Sequence, residues 1–333
     1  MNANMIVILG LLFAFLNVAR AADISSIPKN KTSLLLTNYG SAFKAFINKS
    51  GKLDDSSAWI QWREVVEKTN PSLYQQLIGG SKNNNDWVAA YEKRFKKAFP
   101  SLKKYSPEII AEFDQFESKL QKHIDSFGVL FPDFDFSDVS VYAMPSLLMF
   151  NGQGPDFNGK LVLTFGIDTI VIKKHDPQSV SNESVLYPHE IFHIYHGKKL
   201  GLTEEKFMAS GTLLHSAWLE GLATHVTGVM NPQASLSDLL MDAKLGDYCE
   251  AHGESLFQKY SPLANKKISS KETQKIYGEW FLVGGQKGDT PARAGYCVGL
   301  LLARRASQKY SLNEMVNWSF EDISLKIAPF LKL

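Results

Sequence analysis

Two histidines and the glutamate beside the first constrain the fold more than any other feature. His189 and His193 are four residues apart, and a helix places such positions on one face, roughly 6 Å apart along its axis. Two imidazoles at this spacing can bind one metal ion. Glu190 follows the first histidine directly, so its carboxylate lies beside the ion and can take a proton from water. The segment therefore predicts a helix that carries a metal site and a general base.

Such a site needs a third protein ligand, and two residues compete for this position. His196 lies on the same helix face, but ~10 Å along a straight helix separates it from His189, too far for one ion to reach both. We interpret His196 as a histidine that supports a ligand or lies at the surface. Glu220 follows His193 by 27 residues. It belongs to an apolar segment that predicts a second buried helix, from which it can approach the ion from the side.

The two segments together resemble the gluzincin zinc peptidases. In this group a His-Glu-x-x-His helix is followed by a second buried helix with Glu-Gly-x-Ala-Thr, which here begins at Glu220 and ends at Thr224. The metzincin pattern requires a third histidine six residues after the second, and Lys199 stands there instead. Residues 160–223, with Arg293-Ala294-Gly295-Tyr296, are also similar to a poorly characterised family of predicted zinc-dependent proteases.

The resemblance carries expectations about fold and site. It implies a zincin-like fold in which His189, His193 and Glu220 hold one catalytic Zn²⁺, Glu190 is the base, and Thr224 is a partner of a ligand histidine. In gluzincins the edge strand nearest the metal pairs with the extended substrate. The segment Leu161–Phe165 is therefore the candidate strand for binding a peptide, and an ordinary sheet strand is the alternative.

Hydrophobic periodicity around these segments predicts an α+β chain with a small sheet, the two metal-bearing helices, and mainly helical N- and C-terminal parts. Four helices are expected between Thr32 and Phe127, and the metal helix is expected to begin near Asn182 or Ser184 and to end at Gly201. Short strands are expected at Val139–Met144, Leu147–Phe150, Leu161–Phe165 and Ile167–Ile172. We divide the chain into a signal peptide (1–21), a helical N-terminal region (22–130) and a zincin-like catalytic region (131–333).

The first residues have the pattern of a secretory signal. Ile6–Leu16 is an apolar run of 11 residues, too short to span a bilayer, and Ala19-Arg20-Ala21 supplies small residues for cleavage. The sequence thus predicts a secreted or periplasmic protein without stable membrane insertion after cleavage. An uncleaved anchor is the alternative, because no Lys or Arg precedes the apolar run.

Charge and cysteine content narrow the partners and the compartment. The net charge is only +2, and the basic residues are scattered, which is unlike a nucleic-acid-binding surface. Cys249 and Cys297 are the two cysteines. In an oxidising compartment they can form a disulfide, and two buried thiols are the alternative.

These residues predict a zinc-dependent peptidase acting on a peptide or protein substrate. Zinc would lower the pKa of its water to about 7, and Glu190 would take the proton and return it to the leaving amine. Tyr296, Arg293 and His225, in that order, are candidates to donate a hydrogen bond to the oxyanion. Two alternatives stay open: a secreted, non-catalytic binding protein with a structural zinc site, and a zinc hydrolase of a non-peptide amide.

Overall fold

The structure is α+β, with many helices and one small mixed sheet, in agreement with the predicted fold class. The computed structural model describes residues 34–78, 87–154, 156–157, 159–177, 179–285 and 288–331. The predicted signal peptide lies outside these ranges. Within them, no helix combines the length and the apolar character needed to cross a membrane. The described residues form one compact unit.

Helices account for most of the described chain. They are α1 (Gly40–Ser50), α2 (Asp55–Val65), α3 (Pro71–Leu77), α4 (Trp87–Lys104), α5 (Ser106–Leu130), α6 (Ile167–Lys173), α7 (Glu183–Leu200), α8 (Glu204–Ser210), α9 (Leu213–Met230), α10 (Leu236–Leu240), α11 (Ala243–Tyr260), α12 (Lys271–Phe281), α13 (Ala294–Ser307), α14 (Leu312–Met315) and α15 (Phe320–Ile327). Several begin and end where the sequence predicts. Asp54 caps α2 by accepting from the amides of Ser56 and Ser57, and Gly201 ends α7 in the left-handed conformation.

The sheet contains three parallel strands and two short antiparallel ones. The strands are β1 (Leu35–Asn38), β2 (Ser140–Met144), β3 (Gly152–Gln153), β4 (Asp156–Phe157) and β5 (Lys160–Gly166). β2 lies between β1 and β5 and is parallel to both. β3 and β4 pair with the other side of β5 in antiparallel orientation. The predicted boundary near residue 130 separates helices from strands in sequence, yet β1 from the first part pairs with β2 from the second.

Two predicted elements have the wrong secondary structure. Leu35 was assigned to the first helix because apolar residues recur every four positions, but it lies in β1 and pairs with Ser140. The helix begins at Gly40, whose amide donates to the Asn38 side chain. The run Ile167–Ile172 forms helix α6 and not a strand. A short continuous apolar run fits a buried helix as well as a buried strand, so periodicity alone could not separate them.

A third predicted element, the strand Leu147–Phe150, is also wrong, because this segment is a turn held by a buried carboxylate. Asp168 accepts hydrogen bonds from the Ser146 amide at 2.6 Å and from the Leu148 amide at 2.9 Å. Burial raises the pKa of Asp168 above its usual value, although these hydrogen bonds oppose the shift. Leu147 and Leu148 both have positive φ, at 53° and 61°, which costs about 1–3 kcal/mol per residue. The turn directly precedes β3 in the chain.

In α7, which carries the paired histidines, a side-chain hydrogen bond replaces one backbone hydrogen bond that the helix lacks. Asn182 caps α7 by accepting from the Ser184 amide at 3.0 Å. Pro188 lacks an amide hydrogen, so the Ser184 carbonyl loses its usual helical donor. Asn231, at the end of α9, donates to this carbonyl at 2.7 Å. The two helices are thereby tied together one turn before His189.

A four-residue ion network joins the start of α7 to the N-terminal helices. Lys119 and Lys174 each contact both Glu112 and Glu183, at N–O distances from 2.6 to 3.1 Å. Glu112 is buried, and a buried carboxylate is stable only when it is paired. The network therefore links α5, the end of α6 and the first turn of α7.

Helices α9 and α13 cross with their backbones in contact. A Cβ atom built on Gly221 would lie 1.9 Å from the carbonyl carbon of Gly299, and one built on Gly299 would lie 1.9 Å from the carbonyl oxygen of Ala217. Only glycine fits at both positions. Glu220 immediately precedes the first glycine, and Tyr296 lies one turn before the second.

A disulfide joins α13 to α11. Cys249 and Cys297 are bonded, with their Cα atoms 5.8 Å apart. Of the two states that the sequence left open, the structure therefore has the disulfide. Cys297 directly follows Tyr296, so this covalent link lies next to a residue of the cleft described below.

Candidate metal centre and cleft

Three side chains from α7 and α9 converge on one point. The Nε2 atoms of His189 and His193 are 3.0 Å apart, and Glu220 Oε2 lies 3.4 and 3.2 Å from them, respectively. One donor atom from each residue falls within 4.8 Å of the others, so the group could hold a metal ion. His189 is buried, whereas His193 and Glu220 are partly exposed. The structure thus brings together the three residues predicted as ligands.

The electrostatics of this group favour cation binding. Burial alone would raise the pKa of Glu220, but His193 and His189 lower it well below its usual value. Burial lowers the pKa of His189 to about 4, so this ring is neutral at physiological pH and has a lone pair free for a metal. Burial also lowers the pKa of His193, but the charge and the hydrogen bond of Glu220, together with the charge of Glu190, outweigh this and raise it. A divalent cation would replace that proton.

Glu190 is buried beside this group but outside it. Its side chain is only 6% exposed, and burial raises its pKa to about 7. Gly152 packs directly on it, since an added Cβ at Gly152 would lie 2.6 Å from Glu190 Cγ. The carboxylate is therefore held between α7 and β3, outside the group of His189, His193 and Glu220.

Two residues around the ligands differ from their predicted roles. Thr224 donates to the backbone carbonyl of Glu220 at 2.8 Å within its own helix, so it is not a hydrogen-bond partner of a ligand histidine. Among the described residues, Nδ1 of His189 has no hydrogen-bond partner. His196 is buried, with 1% exposure, and therefore does not lie at the surface. Burial lowers its pKa to about 3, and it stays neutral.

The three predicted oxyanion donors lie in different places. Tyr296 lines the cleft, and its ring lies nearly parallel to that of His189 at 6.3 Å. Arg293 is not among the lining residues; it stacks on the Tyr296 ring at 4.3 Å and donates to the Leu240 carbonyl. His225 does not line the cleft either, and burial, followed by the charge of Arg304, lowers its pKa. Of the three, Tyr296 is the one placed to donate into the cleft.

Sequence reasoning missed a second tyrosine of the cleft. Tyr277, from α12, lines it beside Tyr296 and stacks on Phe281 at 4.9 Å. Burial raises its pKa above the usual value, and the charge of Glu220 adds to the shift. Its spacing from Phe281 is that of any pair of core aromatics on a helix, so no sequence signal distinguished it.

One open cleft of about 420 Å³, a size typical of ligand-binding sites, is bordered by the three converging side chains and by Glu190, His196, Tyr277 and Tyr296. Its walls come from α3, β3, β5, α7, α8, α9, α12 and α13. The N-terminal helices contribute Gln76. Residues from both the predicted N-terminal region and the predicted catalytic region therefore line the cleft.

The strand predicted to bind a peptide is not at an edge. Leu161–Phe165 belongs to β5, which pairs with β2 on one side and with β3 and β4 on the other. A strand paired on both sides cannot accept another strand. In the described part of the sheet the edge next to Glu190 is β3, which lines the cleft through Gly152 and Gln153. Two-residue strands carry too little alternation to be recognised in sequence.

Comparison with known proteins adds no family to these observations. No family model matches the sequence, and the searches found no similar curated protein and no similar solved structure.

Proposed function

We propose that this protein is a zinc-dependent peptidase of the gluzincin type, with a zincin-like arrangement of its sheet and two metal-bearing helices. The observation that carries the proposal is one cleft in which two imidazoles and a carboxylate converge while a second carboxylate stays outside the group. A structural metal site has no need of Glu190, whereas hydrolysis needs a base at this position.

The donor set fits zinc. Two imidazole nitrogens and one carboxylate oxygen are typical of catalytic zinc sites, which keep the fourth position for water or substrate. When bound, zinc would polarise a substrate carbonyl and make water a stronger nucleophile at neutral pH. His189, His193 and Glu220 would hold it, and their partly open side faces the cleft.

Glu190 performs the proton transfers in this proposal. It takes a proton from water as the water oxygen attacks the amide carbonyl, and it then gives the proton to the leaving nitrogen as the C–N bond breaks. The products are a carboxylic acid and an amine. A carboxyl whose pKa is raised towards neutrality by burial is suited to both transfers. The substrate backbone would pair with β3, which lies beside Glu190 at the edge of the sheet.

Hydrolysis of a mixed peptide library by the zinc-loaded protein tests this function. We expect cleavage that a chelator abolishes and that added zinc restores, because the protein without its metal lacks the ion that activates water and polarises the carbonyl. Cleavage products and zinc content are measured on the same samples. A protein that carries one zinc but cleaves nothing in the library would contradict the peptidase assignment and would favour a structural zinc site.

The oxyanion donor is tested by removing one phenol at a time. Tyr296→Phe should lower kcat by ~10² or more and leave zinc content and KM nearly unchanged, since the hydrogen bond forms only in the transition state. Tyr277→Phe should lower kcat far less. The Tyr296 ring lies 6.3 Å from the ring of His189, whereas the Tyr277 ring stacks on Phe281. A large loss in Tyr277→Phe with normal Tyr296→Phe kinetics would transfer the role to Tyr277.

A further inference from the structure

Beyond the metal ligands, the end of α7, the loop that follows it and the start of α8 line one part of the cleft, which we call the arm. Apolar side chains of Leu161, Leu202 and Phe207 line this arm, and Glu204 adds a carboxylate from the first turn of α8. The arm therefore combines apolar walls with one acidic group.

The glutamates that line the cleft have no Lys or Arg beside them in its described lining. Within the described chain, no Lys or Arg lines it, whereas three glutamates do. Glu220 is paired with the histidines, and Glu190 is buried against Gly152. Glu204 remains as an exposed carboxylate with no ion pair or hydrogen bond of its side chain to any described residue.

The nearest lysine in sequence does not neutralise Glu204. Lys206 donates to the Gly201 carbonyl at 2.7 Å and lines a separate depression with Ala209 and Ser210. The Glu204 carboxylate is thus available to a charge that arrives with a substrate.

We propose that this arm is a subsite for a lysine or arginine side chain of the substrate, with Glu204 as the residue that determines this preference. The inference rests on the proposed peptidase function. The aliphatic stem of such a side chain would pack on Leu161, Leu202 and Phe207, and its charged end would reach Glu204. An acidic side chain in this arm would meet the Glu204 carboxylate without any Lys or Arg of the described lining, and would be disfavoured.

Peptides that differ at one position test the subsite. Each position on either side of the cleaved bond carries Lys, Arg, norleucine or Glu in turn, and kcat/KM is measured for wild type and Glu204→Gln. At one position we expect kcat/KM for the Lys and Arg peptides to exceed that for the norleucine peptide by about tenfold. This factor corresponds to the free energy of one charge-assisted hydrogen bond. In Glu204→Gln this ratio should fall towards one, and Glu204→Lys should favour the Glu peptide at the same position.

Glu205→Gln is the matched control. Glu205 is the next residue on α8, is exposed, and does not line the cleft, so this variant should keep the wild-type preference. Thermal midpoints of all variants check that they are folded. Hydrolysis without any preference for a basic residue, or a preference that survives in Glu204→Gln, would overturn the subsite alone. Zinc-loaded wild type that cleaves no peptide would overturn both the subsite and the proposed function.

Discussion

Glu190→Gln is expected to remove nearly all peptide hydrolysis from a protein that still binds one zinc ion. The amide has almost the shape of the carboxylate, so it fits against Gly152 as before. It cannot accept the proton of the attacking water, and general-base catalysis contributes ~10²–10⁴ in rate. We therefore expect kcat to fall by at least a factor of ~10². Zinc content and thermal midpoint should stay at the wild-type values, because Glu190 is not a ligand.

Glu220→Gln should fail in a different way. The substitution removes the anionic ligand that lies 3.2–3.4 Å from both histidine nitrogens. Metal binding and folding are coupled when ligands come from two helices, so zinc affinity and the thermal midpoint of the zinc-loaded protein should fall together with activity. Zinc titration, calorimetry and hydrolysis on the two variants separate the base from the ligand. If Glu190→Gln hydrolysed peptides at the wild-type rate, the catalytic role of this carboxylate would be wrong.

The histidine pair and its helix could be predicted from the sequence. The four-residue spacing that lets two histidines bind one ion is also the spacing of residues on one face of an α-helix. His189 and His193 are on one face in any α-helix, and the capping residue Asn182 and the terminal Gly201 mark where α7 begins and ends. The apolar periodicity around Glu220 made its helix equally visible. Both predictions depend only on neighbours in sequence, and both helices are confirmed.

The parts that failed depend on contacts distant in sequence. Leu35 joins a strand because Ser140 lies beside it, about a hundred residues later, and local periodicity carries no information on this pairing. Gly152 lies against Glu190, and Tyr277 faces the cleft, only because β3 and α12 fold back onto α7. The same holds for Asn231, which satisfies a carbonyl that Pro188 leaves without a donor. Nothing in the local sequence distinguishes Gly152, Tyr277 or Asn231 before the packing of the helices is known.

Gly299→Ala is expected to cause a large loss of stability through a single methyl group. The new Cβ would lie 1.9 Å from the Ala217 carbonyl oxygen and 2.8 Å from Gly221 Cα, and backbone atoms cannot move aside as a flexible side chain can. Helices α9 and α13 would have to separate. Overpacking of this kind costs about 1–3 kcal/mol or more, which exceeds the ~1 kcal/mol that alanine gains over glycine in a helix. We expect the thermal midpoint to fall by about 2–4 °C for each kcal/mol of net loss.

The matched control is Gly128→Ala, because Gly128 is also helical but has no atom within 4 Å of its added Cβ. Without a steric cost, alanine should leave the free energy of unfolding unchanged or raise it by about 0.5–1 kcal/mol. The crossing also carries Glu220 and Tyr296 on its two helices, so Gly299→Ala should weaken zinc binding as well as lower kcat, whereas Gly128→Ala should alter neither. Equal stability of the two variants in denaturant titrations would mean that the helices are not in backbone contact at Gly299, and the close crossing described above would be wrong.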